Sequence, residues 1–450
     1  MTNDMTSGRP ARLILLFSLP LLAGNLFQQF YNMADTIIVG RTVGVNALAA
    51  VGATGSINFL ILGFVMGVTS GFAVVTAQRF GAGDEAGVRR SVATSIILSI
   101  AVTVVVTLIS VLGTMPLLRL MNTPEDIIDD AYSYIVVIFL GIAASVLFNL
   151  FSCILRSLGD SRTPLIFLII ACLLNIGLDF ACILIFKMGV AGAAWATIAA
   201  QLIAGLLCMG YSFKRFPILR LHKEDFKFDW AFAWHHLRIG LPMAFQFSIT
   251  AVGTMVLQAA LNNLGSASVA AFTAASKIDQ LASQPLQSLG TAMATYAAQN
   301  YGAGQVARIR KGVRSCCLIS TIASLVGGGL VVLAGPLLIR LFVGDAEQLV
   351  YDRAQEYLIV LAIFYTVLGL LFVFRNTLQG VGSSSITLFA GVSELLMRSF
   401  AAIFLAQWMG YLGICLASPI AWIGAMVPLS ISYFLVIRKL PAQFAPRSEA

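Results

Sequence analysis

The heptapeptide AQRFGAG at residues 77–83 recurs as AQNYGAG at residues 298–304, and basic residues follow each copy. A repeat at this distance indicates that the chain consists of two similar halves. Other pairs of matching residues are separated by nearly the same number of positions as the two heptapeptides: Gly44 with Gly265, Ile57 with Ile278, Gly189 with Gly410, Gly192 with Gly413, Pro20 with Pro242, and SLGDS at 157–161 with GVGSS at 380–384. The matches predict two domains, residues 1–222 and residues 223–450.

The composition is that of a membrane protein. Of the 450 residues, 59% are hydrophobic and 11% are charged, with a mean hydropathy of +0.90, whereas soluble domains carry about 25% charged residues. A window of about 20 residues, the length of a transmembrane helix, finds apolar segments at residues 12–38, 46–75, 92–115, 131–155, 164–186, 191–213, 235–260, 268–297, 313–337, 356–378, 386–406 and 413–437. These segments are too long and too uniformly apolar for barrel strands. We therefore predict an all-α membrane protein with twelve transmembrane helices, six in each half.

Lysine and arginine are unevenly distributed between the two sides of the membrane. With a cytoplasmic N-terminus, 21 of the 28 basic residues fall on the cytoplasmic side and 5 on the other, while Lys277 and Arg398 lie inside helices. This asymmetry predicts that both termini lie in the cytoplasm, and we expect the protein in the inner membrane. The net charge of +8 then faces anionic lipid headgroups. Because the basic residues are spread over many loops, no nucleic-acid partner is expected.

Six spans in each half give both halves the same orientation, and parallel repeats of this kind are typical of transporters. No glycine-rich phosphate loop or nucleophile elbow is present in the sequence. The seven cysteines lie in predicted helices without C-x-x-C spacing and are interpreted as core residues. The three histidines flank the central basic loop and are predicted at the surface. The sequence predicts a transporter rather than an enzyme, with no cofactor.

The first span contains a polar stripe within an otherwise apolar segment, QQFYNMADTIIVG at residues 28–40. Gln28, Tyr31, Asn32 and Asp35 occupy positions i, i+3, i+4 and i+7, which lie on one face of a helix. An ionised carboxylate inside a span costs roughly 3 kcal/mol on insertion scales. The stripe therefore predicts a helix face that is turned away from lipid.

Two further spans carry polar residues at a similar depth. Asn175 and Asp179 are spaced i, i+4 in the fifth span, and Thr197 lies near the outer end of the sixth. At about 1.5 Å per residue, Asp35, Asp179 and Thr197 all lie roughly 7–12 Å below the outer boundary. Three helices of the first half are thus predicted to present their polar groups at one level.

The repeat indicates that the architecture does not require these acids. The equivalents of Asp35 and Asp179 in the second half fall near Val256 or Leu257 and near Ala401. The two aspartates are therefore predicted to couple transport to a small cation. Carboxylate, amide and hydroxyl oxygens suit Na⁺, and two neighbouring buried carboxyl groups can equally bind and release a proton. The sequence leaves H⁺ and Na⁺ open as the coupling ion.

Other residues within the spans are weaker candidates. Polar residues at the start of the eighth span either line a substrate cavity or lie at the headgroup level: Lys277, Asp279, Gln280 and Gln284. Flexible methionines either furnish an adaptable apolar cavity or simply pack: Met33, Met66, Met255 and Met293, with Asn32 beside the first of them.

Two features of the spans have a structural and a functional interpretation. Glu394 and Arg398 of the eleventh span are spaced i, i+4 and are interpreted as a structural ion pair, with substrate contact as the alternative. Pro20 is predicted to kink the first helix. The kink is either a tolerated irregularity of a membrane helix or a hinge that responds to the bound ion.

The chain resembles the multidrug and toxic compound extrusion (MATE) family over about residues 12–438. The resemblance is carried by Pro20, Gln28, Tyr31 and Asp35, by NIGLD at 175–179, by GAAWAT at 192–197, and by AQ-x-[FY]-GAG after the second and eighth spans. It implies two pseudo-symmetric six-helix lobes that form a V around a central cavity. It also implies an antiporter that exports cationic or amphipathic organic compounds in exchange for H⁺ or Na⁺.

The resemblance places the family's cation site, with Na⁺ as one occupant, in the first half. The matching positions are Asp35, Asn175, Asp179 and Thr197, with Tyr31 and Gln28 beside them. Some members instead use acids of the seventh and tenth spans. Here the seventh span has Thr250 near the expected glutamate and the tenth has no acid, so the expected mechanism is concentrated in the first half.

Two rival functions stay open. One is a flippase for a lipid-linked saccharide or other lipid, whose cavity should be lined by basic residues. The other is an ion channel, which would pass many ions per opening. Because nearly all basic residues lie in loops, a cationic or neutral cargo is favoured. We expect small organic substrates and membrane lipids as partners, and a monomer.

Overall fold

The computed structural model describes residues 4–343 and 348–443, and the described chain is almost entirely helical, without β-strands. The helices are α1 (Pro10–Thr42), α2 (Val45–Gly81), α3 (Glu85–Leu120), α4 (Ile128–Leu140), α5 (Ile142–Ser157), α6 (Arg162–Phe180), α7 (Gly189–Arg215), α8 (Trp230–Asn262), α9 (Ser266–Gly302), α10 (Val306–Val343), α11 (Gln348–Gly380), α12 (Ser384–Phe400), α13 (Ala406–Met409) and α14 (Tyr411–Gln443). Short π-helical segments, Ala181–Ile185 and Ala401–Leu405, follow α6 and α12. The all-α prediction is confirmed.

Ten of the described helices, counted with the short segments that continue them, are long and apolar enough to cross a membrane. The pair α4 and α5, bent by 47°, is an eleventh candidate. Gly141 joins the pair, and a Cβ atom there would lie 2.2 Å from Ile198 Cγ1, so a larger residue would push this bend away from α7. The remaining predicted segment, 268–297, coincides with α9. Each predicted segment therefore corresponds to one helix or to the bent pair.

The packing divides the described chain into two units, and both divisions fall inside helices. Ala23–Ser248 forms the first unit, whereas Asp4–Leu22 and the described residues from Ile249 onward form the second unit. Helices α1 and α8 thus change unit shortly after Pro20 and Pro242. Proline removes a backbone hydrogen bond and bends a helix, which suits a helix shared by two units. The predicted boundary after residue 222 concerns the sequence repeat and stays a prediction.

Each unit has a hydrophobic core of its own. Ile135 and Phe139 are fully buried in the first unit, and Leu358 and Tyr365 are fully buried in the second. In lipid, such close contacts stabilise a bundle through packing, because acyl chains are as apolar as the side chains themselves. All seven cysteines are free thiols and five of them are buried, as expected of core residues.

The repeat is visible in local geometry where the fifth and eleventh spans end. Gly189 and Gly410 both take positive φ, at +61° and +58°, in the left-handed region that side chains disfavour. Three residues later, Gly192 and Gly413 pack against the π-helical segments, where added Cβ atoms would lie 3.3 Å from Cys182 C and 2.5 Å from Leu405 C. The paired glycines of the sequence therefore serve the same backbone turn in each half.

The second copy of the heptapeptide anchors the segment that precedes α1. Met5 donates its backbone N–H to Gln299 Oε1 over 2.9 Å, and Asn300 Nδ2 donates to Met5 O over 3.1 Å. Arg308 donates to Asn300 Oδ1 over 2.9 Å, to Gly8 O over 3.0 Å and to Met5 O over 3.1 Å. These bonds attach the N-terminal segment to α9 and α10 within the second unit.

Basic residues after the first heptapeptide anchor the segment that leads into α8. Arg90 donates to Asp229 over 2.6 Å. His236 is fully buried, with its Nε2 2.9 Å from Ser91 Oγ and its Nδ1 2.9 Å from Phe232 O. The prediction that all three histidines lie at the surface is wrong for His236, because the first turns of α8 pack inside the first unit rather than beside a loop.

Candidate functional site

Asp35 of α1 and Asp179 of α6 lie in direct contact inside the first unit. Asp35 is 8% exposed and Asp179 is fully buried, and their side chains are close enough to form a hydrogen bond with each other. A hydrogen bond between two carboxyl groups requires that one of them carry a proton. Asp35 Oδ1 is buried and has no hydrogen-bond partner among the described residues. The pair can therefore share a proton and still offer an oxygen to a small cation.

Tyr31, Asn175 and Thr197 complete a polar cluster beside the two aspartates. Tyr31 donates its hydroxyl to Thr197 Oγ1 over 3.2 Å, and Asn175 Nδ2 donates to the same oxygen over 3.3 Å. Asn175 is fully buried, whereas Tyr31 and Thr197 are partly buried. The structure thus brings five of the six predicted coupling residues together, and Gln28 lies one turn before Tyr31 on α1.

Helix geometry accounts for this arrangement. Tyr31 and Asp35 are spaced i, i+4 on α1, as are Asn175 and Asp179 on α6, and this spacing stacks two side chains on one face. Helix α6 passes into the π-helical segment Ala181–Ile185 two residues after Asp179. Single π-helical turns occur frequently at functional sites, and this one redirects the chain immediately beyond the buried acid.

Tyr134 of α4 belongs to the same cluster, and the sequence analysis missed it. It is 7% exposed and lies within electrostatic range of both Asp35 and Asp179. The fourth predicted span begins at residue 131, so Tyr134 lies only about 4–5 Å below the same outer boundary at 1.5 Å per residue. Depth counting would have placed this residue above the level of the other polar groups, which is roughly 7–12 Å below that boundary, so only the tertiary structure, which places it near both aspartates, reveals it.

The residues proposed to line a substrate cavity fall into two groups. Met33 and Met66 are 42% and 45% exposed, and Asn32 is also exposed, while Met255 is partly buried. Met293 is fully buried in a core cluster of the second unit, beside Tyr296. Met293 therefore packs in the core and does not line a cavity, because its side chain has no exposed surface. Pro20 lies inside α1, as expected.

Glu394 forms two ion pairs in the second unit rather than the one expected. Arg398 Nη2 donates to Glu394 Oε1 over 2.8 Å, and Arg375 Nη2 donates to Glu394 Oε2 over 2.6 Å. All three residues are at most 7% exposed. Arg375, which the sequence analysis did not single out, lies within α11. The predicted ion pair is thus part of a triad with one excess positive charge.

The polar residues of α9 point in different directions. Tyr365 donates its hydroxyl to Asp279 Oδ1 over 2.8 Å, so Asp279 faces α11. Lys277 and Gln280 are exposed, and Gln284 is 8% exposed. The structure therefore separates Asp279 from the exposed face of the helix that carries Lys277 and Gln280.

The first-unit cluster presents carboxyl, amide and hydroxyl oxygens. No group of three or more His, Cys, Asp or Glu side chains that could hold a metal ion occurs in residues 4–343 and 348–443. The cluster combines the carboxyl groups of Asp35 and Asp179 with the neutral oxygens of Asn175 and Thr197. Oxygen donors without thiolates or imidazoles disfavour transition metals. The donor set fits Na⁺ or a proton.

Comparison with known proteins gives matches over nearly the whole chain. The family model MatE matches residues 20–181 and 242–404. The chain is 30% identical over 417 residues to the probable multidrug resistance protein YpnP of Bacillus subtilis (strain 168), covering 91% of this chain and 92% of that protein. It is 27% identical over 434 residues to a protein of Shewanella oneidensis named FAD transporter, covering 93% of each. The crystal structure of MATE in complex with MaL6 is similar, with a TM-score of 0.91 and 25% identity over 98% of this chain and 100% of that chain.

The family model falls on both copies of the repeat and covers well over half of the chain. The resemblance that rested on motifs of the first, fifth and sixth spans is therefore confirmed. The many apolar helices make the protein an integral, multi-pass membrane protein. The chain belongs to the MatE family of multidrug efflux transporters.

Proposed function

We propose that this protein is a secondary active antiporter of the cytoplasmic membrane, with both termini in the cytoplasm. It exports cationic or amphipathic organic compounds in exchange for H⁺ or Na⁺. The coupling ion binds at Asp35 and Asp179, and the polar groups of Tyr31, Asn175 and Thr197 hold the two carboxyl groups in place.

The observation that carries this proposal is the contact between the two buried aspartates. Two ionised carboxylates in contact repel each other and are costly inside a membrane, so the pair is stable only when a positive ion neutralises it. Either a shared proton or a bound Na⁺ would relieve this repulsion. Release of the ion restores the repulsion and favours a different arrangement of α1 and α6.

The proposed cargo follows from the charge of the spans and from the relatives. The relative in B. subtilis is named a probable multidrug resistance protein, which supports organic compounds, and the placement of most basic residues in loops supports a cationic or neutral cargo. The relative in S. oneidensis is named FAD transporter and supports a second candidate, a cargo with anionic groups. Exposed Lys277 is the feature of this chain that favours the second candidate.

The test is ethidium transport by purified protein reconstituted into lipid vesicles under an imposed proton or Na⁺ gradient. Wild-type protein should drive ethidium against its gradient with one of the two ions. Asp35→Asn and Asp179→Asn should each abolish gradient-driven transport while leaving the amount of folded protein unchanged. Asp126→Asn is the control, because Asp126 is an exposed acid outside the helices and its substitution should have no effect.

The rival functions give different results in the same vesicles. Full gradient-driven export by Asp35→Asn would refute the proposal. Electrical currents far larger than stoichiometric exchange would identify a channel instead. Movement of a fluorescent lipid between leaflets, without ethidium transport, would identify a flippase.

A further inference from the structure

Helix α9 differs in composition from every other long helix of the described chain. It has 37 residues, yet among the described helices of at least 18 residues it alone is not apolar enough to be a candidate membrane span. Its polar residues form a stripe with alternating spacings of four and three: Thr273, Lys277, Gln280, Gln284 and Gln287. All of them except Gln284 are exposed. We call this set the α9 stripe.

The depth of the α9 stripe is incompatible with contact with acyl chains. At 1.5 Å per residue, α9 is about 55 Å long and Lys277 and Gln287 lie about 16 and 31 Å from its first residue. A hydrocarbon core about 30 Å thick, centred on the helix, includes both positions. An exposed lysine and two exposed amides at this depth would each be costly against lipid. The stripe therefore faces water inside the protein.

Lys277 brings a positive charge to this face, and no ion pair neutralises it within the described part of the chain. The nearest acid in sequence, Asp279, is two residues away and points to another side of the helix, where Tyr365 holds it over 2.8 Å. A lysine within a membrane span without a counter-charge is rare, and such residues usually mark the path of a substrate or ion.

Gln284 gives an independent indication of a ligand on the same stripe. It lies two turns from Lys277, is 8% exposed, and its Oε1 is buried without a hydrogen-bond partner among residues 4–343 and 348–443. A buried amide oxygen without a partner costs free energy that a donor on a bound molecule would recover.

The sequence repeat shows that the fold does not need these groups. With the shift that relates the two heptapeptides, Lys277 corresponds to Ser56 of α2, and Gln284 corresponds to Gly63. Gln287 corresponds to Met66 in the same way. A helix in the same topological position is thus built without a charge or amides on this face, so their presence in α9 is specific to the second half.

We propose that the α9 stripe is a cargo-binding site for organic compounds that carry a carboxylate or phosphate group. Lys277 binds the anionic group, and Gln284 Oε1 accepts a hydrogen bond from a donor elsewhere on the molecule. This rests on the proposed transport function and extends its substrate class from cationic compounds to anionic and zwitterionic amphipathic compounds.

The test is equilibrium binding of 5-carboxyfluorescein, an aromatic dianion, to the purified full-length protein, measured by fluorescence anisotropy. Lys277→Gln should weaken binding about tenfold or more, the range expected for losing a charged hydrogen bond. Lys277→Arg should restore most of the affinity, and Gln284→Leu should weaken it by a smaller factor. Lys227→Gln, which removes an exposed charge from a cytoplasmic segment, should change nothing.

Lys277→Gln should elute in size-exclusion chromatography and melt in detergent as wild type does, which shows that the variant is folded. The proposal is overturned if carboxyfluorescein does not bind saturably, or if Lys277→Gln binds it as wild type does. If Lys277→Arg weakens carboxyfluorescein binding as much as Lys277→Gln does, the positive charge of Lys277 is not what binds the anionic group. The measurement needs no ion gradient, and its variants leave Asp35 and Asp179 intact. A failure of ion coupling is therefore distinguishable from a failure of this site.

Discussion

Arg375 of α11 donates a hydrogen bond to Glu394 of α12 over 2.6 Å, in a buried triad that Arg398 completes. Removing one member of a buried charge pair leaves an uncompensated charge and typically costs about 3–5 kcal/mol. Glu394→Gln would leave two buried guanidinium groups without a counter-charge. We expect a large loss of thermal stability in detergent and of folded protein in the membrane.

Arg398→Met is the matched variant, because it leaves Glu394 and Arg375 as a neutral pair. It should therefore be clearly more stable than Glu394→Gln in the same melting measurement. If Glu394→Gln melts at the wild-type temperature, the triad does not hold the second unit together.

Tyr31 and Asn175 share one acceptor, the hydroxyl of Thr197. Tyr31→Phe removes one hydrogen bond, worth about 0.5–1.5 kcal/mol, and should weaken the apparent affinity for the coupling ion by a factor of about 2 to 10. Thr197→Val removes the acceptor of both bonds and should have the larger effect. The measurement is ethidium transport as a function of the proton or Na⁺ concentration. The reverse order of the two effects would contradict the shared-acceptor arrangement.

Arg308 makes three of the hydrogen bonds around the segment that precedes α1. Arg308→Gln should free this segment and reduce the hydrogen-exchange protection of the Met5 amide, which otherwise donates to Gln299. A loss of about 1.5–3 kcal/mol per charged bond predicts a fall of at least about tenfold in protection. Arg310→Gln is the control, since Arg310 bonds to Ile437 O instead. Equal exchange in both variants would show that Arg308 does not anchor the segment.

Gly71 of α2 packs against Gly240 of α8 so closely that an added Cβ atom would lie 2.4 Å from Gly240 Cα. Gly71→Ala should therefore force the two helices apart and cost about 1–3 kcal/mol, as overpacking does. Gly55 lies on the same helix with no atom within 4 Å of an added Cβ. Gly55→Ala should be neutral or slightly stabilising, because alanine favours a helix by up to about 1 kcal/mol over glycine. Melting temperatures of the two variants in detergent check the difference.

Much of the fold and part of the candidate site could be predicted because they depend on local spacing. The i, i+4 spacings of Tyr31 with Asp35 and of Asn175 with Asp179 each fix two side chains on one face of one helix. Counting residues from the outer boundary then put three helices at the same level without any knowledge of their neighbours. The structure brings these side chains into contact, and their role in ion coupling stays a prediction.

Other features depend on which helix faces meet, and single-helix patterns carry no information about that. Arg375 lies within the predicted span 356–378, and nothing in the sequence of that span indicates that Glu394 of the next helix pairs with it. His236 is flanked by charges in sequence, yet α8 enters the first unit and buries it.

By itself, the sequence determined the number and position of the apolar helices, their duplication and the polar stripe of α1, because hydropathy and helical periodicity are properties of consecutive residues. Only the tertiary structure decided that Asp35 and Asp179 touch, that Tyr134 joins them, and that α1 and α8 each change unit along their length. Those relationships follow from packing between residues far apart in the chain, where side-chain volume and partner geometry, rather than spacing, set the contacts.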